Sequence, residues 1–350
     1  MHAGAGSSGE RFPIGWGGEE FRLRFLEPAF ICVDVSRGIP ATKQGNDSML
    51  ATTRGLVCHA PAKLNLYFEL LARREDGYHD VETLMVPVSL YDTLTFQSEA
   101  DSPQKTGTIE FSLISCFGRG TQNTQRIPEG RDNLVVQALE LLQRHSGVGL
   151  GGRVTLQKRI PAQAGLGGGS SDAAAALRLA NRSWGLRWSQ KRLMELAAEL
   201  GSDVPFFLAP GPQIGRGRGE QLEPVCSIGR VCAVIVVPPE GLSTADVYRA
   251  AHVPAEPRKM ESVIAAFQTG SLRCLGETLH NRLEEAACKI SPWILRIRDA
   301  MDDVGCQVHQ MTGSGSGYFG LCRHMDEATR LASRLRARNV GQVFAVSKAG

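Results

Sequence analysis

The stretch Ala162-Gln163-Ala164-Gly165-Leu166-Gly167-Gly168-Gly169-Ser170-Ser171 constrains this chain more than any other. Ahead of it, Val154, Leu156 and Ile160 predict a strand that ends at Pro161. Behind it, Asp172-Ala173-Ala174-Ala175-Ala176-Leu177 opens a helix rich in the best helix former. Gly165, Gly167, Gly168 and Gly169 carry no side chain and tolerate positive φ, so backbone N–H groups can close on an anion. Ser170, Ser171 and the helix N-terminus add donors and a favourable dipole. Strand, glycine turn and helix in this order predict a phosphate site. A flexible linker is the other reading, and the alanine-rich helix starting at once speaks against it. The stretch lacks the Gly-Lys-Ser/Thr of a P-loop and the G-x-G-x-x-G spacing of a dinucleotide fold. That spacing does occur at Gly147, Gly149 and Gly152, but after a helical pattern, and reads as a turn.

A chain of 350 residues has room for two domains. Leu64, Leu66, Phe68 and Leu70 alternate with Lys63, Asn65, Tyr67 and Glu69, which predicts a half-buried strand whose polar face carries Lys63 and Asn65. Asp76-Gly77 marks a turn tip. Val81–Val88, Thr93–Phe96 and Ile109–Ile114 predict strands, and Asn133–His145 a helix. Ser189 predicts the cap of a helix over Gln190–Leu200. Past Pro224 the rhythm restarts with a strand at Val231–Val237 and helices over Met260–Gln268, Leu272–Cys288 and Pro292–Val304. Strands at Val308–Met311 and Tyr318–Cys322, a helix at Asp326–Arg338 and a strand at Gln342–Val346 follow. This mixed α+β order predicts a second domain, with the boundary between Gly211 and Gly229.

Charge and cysteine usage exclude several classes. Lys and Arg number 39 against 36 Asp and Glu, a net +3 that does not argue for nucleic acid as partner. No apolar run approaches the roughly 20 residues of a membrane helix. The cysteines show no C-x-x-C spacing and read as reduced thiols of a cytoplasmic protein. Residues 1–48, rich in Gly, Ser and Pro without an apolar period, read as a mobile tail, with Met49 standing just ahead of the first strong pattern.

Three side chains invite chemistry, each with a plainer reading. Asp203, in Gly201-Ser202-Asp203-Val204-Pro205, could simply cap a short helix with Pro in its first turn. Lys63 could be a solvated strand residue, and His79 an ordinary surface or core imidazole. The second glycine loop, Gly313-Ser314-Gly315-Ser316-Gly317, lies between two predicted strands. It reads as a long hairpin or as a wall around an anionic substrate.

Taken together, these pieces resemble the GHMP kinases, and within them the branch that phosphorylates CDP-methylerythritol (4-diphosphocytidyl-2-C-methyl-D-erythritol). The resemblance rests on Pro61-Ala62-Lys63-Leu64-Asn65-Leu66, Asp76-Gly77-Tyr78-His79, Asp132-Asn133-Leu134, the Gly165–Ala174 stretch and Gly201–Phe206. It continues through Arg218-Gly219-Glu220, Ser243-Thr244-Ala245, Asn281-Arg282-Leu283-Glu284 and Gly313–Gly317, in the family's order. It implies a two-lobed α+β fold: a ribosomal-protein-S5-like α/β lobe over 57–215, a ferredoxin-like α+β lobe over 229–350, and the active site in the cleft between them. It implies ATP and Mg²⁺, with Lys63 and Asp203 as the catalytic pair. The ATP phosphates would lie along Pro161, Ala162, Gln163, Ala164, Gly165, Leu166, Gly167, Gly168, Gly169, Ser170 and Ser171. Asn65, Tyr78, His79 and Tyr248 would hold the substrate. The metal ligands stay unassigned, and a monomer or weak dimer is expected. Gln163 and Tyr318 depart from the family's usual residues. The competing readings are a GHMP kinase for homoserine, a sugar or mevalonate, and a catalytically silent member.

Overall fold

The computed structural model describes residues 49–349 apart from 53–54, 102–104, 117–126, 226–228 and 270; the expected tail over 1–48 lies outside the described residues. β1 (Met49–Thr52) pairs with the start of β2 (Gly55–Arg73), so strand structure begins ahead of the Val57 start that the pattern suggests. β3 (His79–Ser98) runs antiparallel to β2 and merges two predicted strands into one. Then come β4 (Ile109–Ser115), α1 (Leu134–Ser146), β5 (Gly152–Lys158), α2 (Gly168–Ser183), α3 (Gln190–Ala198), α4 (Val204–Leu208), β6 (Gln213–Arg216) and β7 (Gln221–Pro224). The first sheet has the order β1-β2-β3-β5-β4, with β6 on β3, β7 on β6, and β4 parallel to β5. Leu139 and Leu142 of α1 and Ala174 and Leu177 of α2 pack with Phe96, Val154 and Leu156 to cover one of its faces.

The remainder comprises β8 (Cys232–Val237), α5 (Thr244–Ala250), α6 (Glu261–Thr269), α7 (Leu272–Thr278), β9 (His280–Asn281), α8 (Glu284–Ile290), α9 (Pro292–Asp303), β10 (His309–Met311), β11 (Tyr318–Cys322), α10 (Met325–Arg336) and β12 (Gln342–Ser347). Its sheet has the antiparallel order β10-β11-β8-β12. β8 is apolar throughout because both its faces are covered. Val234 and Val236 pack with Ile297, Met301, Leu331 and Leu335, while Ala233, Ile235 and Val237 share a core with Leu64, Leu66 and Val86 of the first sheet. Among the described residues, no helix is long and apolar enough to cross a membrane. No disulfide joins the described cysteines, and Cys226 lies outside the described residues.

Three local expectations change. The helix predicted over Leu272–Cys288 is broken into α7 and α8, because His280 and Asn281 pair in parallel with Tyr67 and Phe68. The Asn281 side chain donates to the carbonyls of Met311 and Gly313 and accepts from Leu283 N–H, so tertiary partners outweigh helix propensity. β2 is not half-buried: Ala62 through Leu70 are all buried. A register shift between Asn65 and Tyr67 interrupts the alternation, and beyond such a bulge the side chains change face. Finally, α2 begins at Gly168 rather than Asp172.

Candidate active site

Lys63 and Asn65 sit on one face of β2, almost fully buried, and are kept there by satisfied polar bonds. The Lys63 ammonium donates to Asn65 Oδ1, and its Nζ lies 3.6 Å from Asp203 Oδ2. Asn65 Nδ2 donates to Thr83 Oγ1 at 2.8 Å, and Thr83 in turn to the Tyr67 carbonyl at 2.8 Å. Asn65 N–H donates to Thr312 Oγ1 at 3.0 Å. The pair suggested by two segments 140 residues apart thus meets within ion-pair range. Asp203 stands ahead of α4 with helical φ −83° and ψ −14°, and its side chain makes no cap bond. The capping explanation therefore fails, and 39% of this side chain is exposed toward a cleft.

The glycine stretch divides into a turn and the first helical turn. Gly165 and Gly167 take φ of 71° and 69°, the left-handed region that favours glycine, and Gly167 is the residue preceding α2. Gln163 also takes a positive φ of 51°, an unusual conformation for a non-glycine residue. A Cβ at Gly167 would stand 2.7 Å from the Phe207 ring. Gly168, Gly169, Ser170 and Ser171 are helical; Ser171 N–H bonds the Gly167 carbonyl, so the amides of Gly168, Gly169 and Ser170 are the ones without an intrahelical partner. Ser171 Oγ is buried without a partner among the described residues. That donor set suits an oxyanion.

The second glycine loop joins the antiparallel strands β10 and β11 as a hairpin, and its Gly313 and Ser314 line a cavity together with Lys63 and Asp203. It lies directly on the first. Gly317 N–H donates to the Ala164 carbonyl at 3.0 Å, and Thr312 N–H to the Gly317 carbonyl at 2.9 Å. A Cβ at Gly165 would fall 2.1 Å from the Thr312 oxygen, and one at Gly315 would fall 2.0 Å from Gly165 N. Tyr318 faces away from the cleft: it is buried, with its hydroxyl donating to Glu284 at 3.0 Å, so its departure from the family pattern touches the second lobe's interior.

A cavity of about 1030 Å³ joins these parts, lined by Lys63, Asn65, Ser170 and Asp203 together with Tyr78, His79 and Tyr248. The His79 and Tyr248 rings lie 5.4 Å apart at 36°, and Tyr248 meets Phe68 edge-on at 6.4 Å. Burial and the Arg73 charge lower the His79 pKa, which favours the neutral ring. Burial and the nearby Asp203 push the Tyr248 hydroxyl up. Tyr78 is 56% exposed, with the Arg218 guanidinium 5.1 Å above its ring. The structure therefore brings together Lys63, Asn65, Asp203, Ser170, Tyr78, His79 and Tyr248. Of the stretch from Pro161 to Ser171, Ser170 alone lines the cavity; Pro161 to Gly169 and Ser171 lie outside that lining.

Sequence reasoning misses Phe68, Arg218 and Thr244. Phe68 reaches the cavity through the bulge after Asn65, which no periodicity reveals. Arg218 and Thr244 fall within quoted motifs but carry no evident role until the fold places them. Thr244 Oγ1 lies 3.0 Å from Ser314 Oγ, linking α5 to the second glycine loop.

A lysine–carboxylate pair beside an anion-ready helix N-terminus, between two α+β lobes, defines a small-molecule kinase of the GHMP type. The model for the GHMP kinases N terminal domain matches residues 133–211, and that for the GHMP kinases C terminal matches 263–341. The 4-diphosphocytidyl-2-C-methyl-D-erythritol kinase of Pelotomaculum thermopropionicum is 39% identical over 279 residues, covering 79% of this chain and 92% of that relative. The enzyme of the same name from Alkaliphilus metalliredigens is 37% identical over 271 residues, covering 76% and 88%. A crystal structure of 4-(cytidine 5'-diphospho)-2C-methyl-D-erythritol kinase superposes with a TM-score of 0.69 at 35% identity, over 84% of this chain and 100% of the other. The chain belongs to the 4-diphosphocytidyl-2-C-methyl-D-erythritol kinase family of GHMP kinases. A homoserine kinase from Cytophaga hutchinsonii, at 17% identity and TM-score 0.62, shares the fold alone.

Proposed function

We propose that this chain transfers the γ-phosphoryl of ATP to the 2-hydroxyl of 4-diphosphocytidyl-2-C-methyl-D-erythritol, a step toward isoprenoid precursors outside the mevalonate route. The observation that carries the reading is the 3.6 Å approach of Lys63 Nζ to Asp203 Oδ2, in a cavity that also receives Ser170 from the first turn of α2. We assign 57–215 as the ATP-binding domain and 229–350 as the domain that closes the cleft.

A tertiary alcohol is a poor nucleophile near neutral pH. Asp203, without a cap bond and facing the cleft, accepts its proton. Lys63 holds Asp203 in place and offsets negative charge near the transferred phosphoryl. Asn65 fixes Lys63 and is itself fixed by Thr83 and Thr312. The free amides of α2, with Ser170 and Ser171, hold the phosphates of ATP. Tyr78, His79 and Tyr248 take the cytosine: ring faces supply stacking area, and a neutral imidazole can hydrogen-bond the base edge.

Mg²⁺ fits the same cleft. Among the described residues no cluster of His, Cys, Asp or Glu could hold a metal by itself. Mg²⁺ is ordinarily bound through phosphate oxygens and few protein oxygens, so a triphosphate-borne ion against the Ser170 hydroxyl suits this donor set. When bound, it would neutralise charge on the phosphates. The test is phosphoryl transfer from labelled ATP to a panel of acceptors: CDP-methylerythritol, homoserine, mevalonate and galactose. Turnover on the first alone supports the reading. Turnover on another acceptor, or on none, overturns it.

A further inference from the structure

Beneath the glycine turn lies a buried cluster that the proposed chemistry does not use. Lys158, Asp92 and Asp172 are 3%, 0% and 2% exposed, and none of them lines the active-site cavity. Lys158 closes β5 at the entrance to the turn, and its ammonium donates to Asp92 and, at 2.8 Å, to Asp172 Oδ2. The other oxygen of Asp92 accepts from the N–H groups of Arg159 at 2.5 Å and Ile160 at 2.9 Å, the last residues before Pro161. Asp172 lies near the start of α2, where the chain leaves the turn. One ammonium therefore ties the entry of the turn to its exit.

The ammonium is also packed against the turn itself. A Cβ at Gly168, the first residue of α2, would stand 2.8 Å from Lys158 Nζ, so no other residue fits there without displacing it. A lysine between two buried carboxyls is an expensive way to gain stability alone, since apolar residues of similar volume serve as well or better. Asp172 Oδ1 finds no donor among the described residues, and burial raises the Asp172 pKa.

We infer that Lys158, held between Asp92 and Asp172, is a positioning residue for the phosphoryl donor: it sets the separation of the two ends of the glycine turn and so the aim of the α2 amides. This inference rests on the assignment of that turn to the phosphates of ATP. Loss of the tie should weaken nucleotide binding and leave acceptor binding alone, because Lys63, Asn65 and the His79 and Tyr248 rings are held by other contacts.

The experiment compares Asp172→Asn, Asp172→Ala and Lys158→Met with the parent chain. A non-hydrolysable ATP analogue is titrated by calorimetry, and KM is measured separately for ATP and acceptor. Asp172→Asn keeps an oxygen to accept the Lys158 bond, so its nucleotide Kd should stay within about twofold of the parent, by analogy with a retained supporting partner. Asp172→Ala and Lys158→Met should weaken the analogue by about 10- to 100-fold, the usual cost of removing a partner that orients a binding group. Acceptor KM should not move. If both disruptive variants lose melting temperature while nucleotide Kd and ATP KM stay at parental values, the cluster is only structural and the inference fails. Should Lys158→Met not fold, the contrast between Asn and Ala at position 172 still decides: equal nucleotide affinities overturn the claim. If the parent chain binds the analogue but transfers phosphate to no acceptor, the functional reading fails while the Kd comparison still tests the positioning claim. If the parent does not bind the analogue, the assignment of the turn fails and the inference with it.

Discussion

Asp203 occupies the position of a helix cap with the wrong backbone for one. Capping residues ordinarily take extended φ and ψ so that the side chain can turn back onto the helix amides. Here the backbone is helical, no cap bond forms, and the carboxylate faces Lys63 across 3.6 Å. Asp203→Asn should therefore cost no capping energy, leave melting temperature and ATP Kd unchanged, and lower kcat by about 10²- to 10⁴-fold, the usual contribution of general base catalysis. Steady-state kinetics, nucleotide titration and thermal unfolding on one variant check all three. In the lining of the same cavity, Tyr78 offers an exposed ring beneath Arg218. Base stacking on an aromatic side chain is worth about 1–3 kcal/mol. Tyr78→Ala should then raise acceptor KM by roughly 5- to 150-fold with ATP KM unchanged. An unchanged acceptor KM would remove Tyr78 from the site.

Among the elements, the two glycine loops matter most, and they act as one unit. Either one alone reads as a turn, and their glycines could serve φ freedom only. In the fold they also serve contact, since Gly165 and Gly315 approach so closely that a single Cβ on either would overlap backbone of the other loop. Gly165→Ala combines a positive φ of 71° with a Cβ 2.1 Å from the Thr312 carbonyl oxygen. It should destabilise by more than about 1 kcal/mol, the range for Ala where φ is positive. It should also raise KM for ATP and acceptor together, because it pushes both loops. Urea unfolding alongside both KM values tests this, and a rise for ATP alone would show that the loops move independently. The start of α2 at Gly168 follows the same logic. Gly-Gly-Ser-Ser is a poor helical run by propensity, yet Ser171 N–H bonds the Gly167 carbonyl at 2.9 Å and α2 packs on β2 and β3. Packing decides the boundary.

At the scale of the whole molecule, one carboxylate joins the two halves of the chain. Glu69 of β2 is fully buried and accepts from Arg282 at 2.6 and 2.7 Å, from the N–H groups of Arg258 at 3.0 Å and Leu70 at 2.9 Å, and lies 3.1 Å from His280 Nε2. Burial pushes its pKa up, but the bonds from Arg282, His280 and the backbone outweigh that and hold it below the ordinary range. A carboxylate whose folded pKa is depressed contributes stability above its unfolded value, and that stability is lost as pH falls toward the folded value. Unfolding free energy should therefore decline below about pH 4.3, and Glu69→Gln should flatten that decline. Glu69→Ala leaves Arg282 unpaired at the junction and should cost about 3–5 kcal/mol, read from urea unfolding near neutral pH. A parental pH slope in Glu69→Gln would show that other groups govern acid sensitivity. By itself the sequence determined the α+β class, most strands and helices, the glycine turn ahead of α2 and the candidates Lys63 and Asp203, because local periodicity, glycine runs and motif order are properties of neighbouring residues. Only the tertiary structure decided that Asp203 faces Lys63 instead of capping α4, that a bulge carries Phe68 into the cleft, that the glycine loops touch, and that His280 and Asn281 break a helix to join β2. Each of these depends on partners far away in the chain, and their packing and hydrogen bonds override local preference.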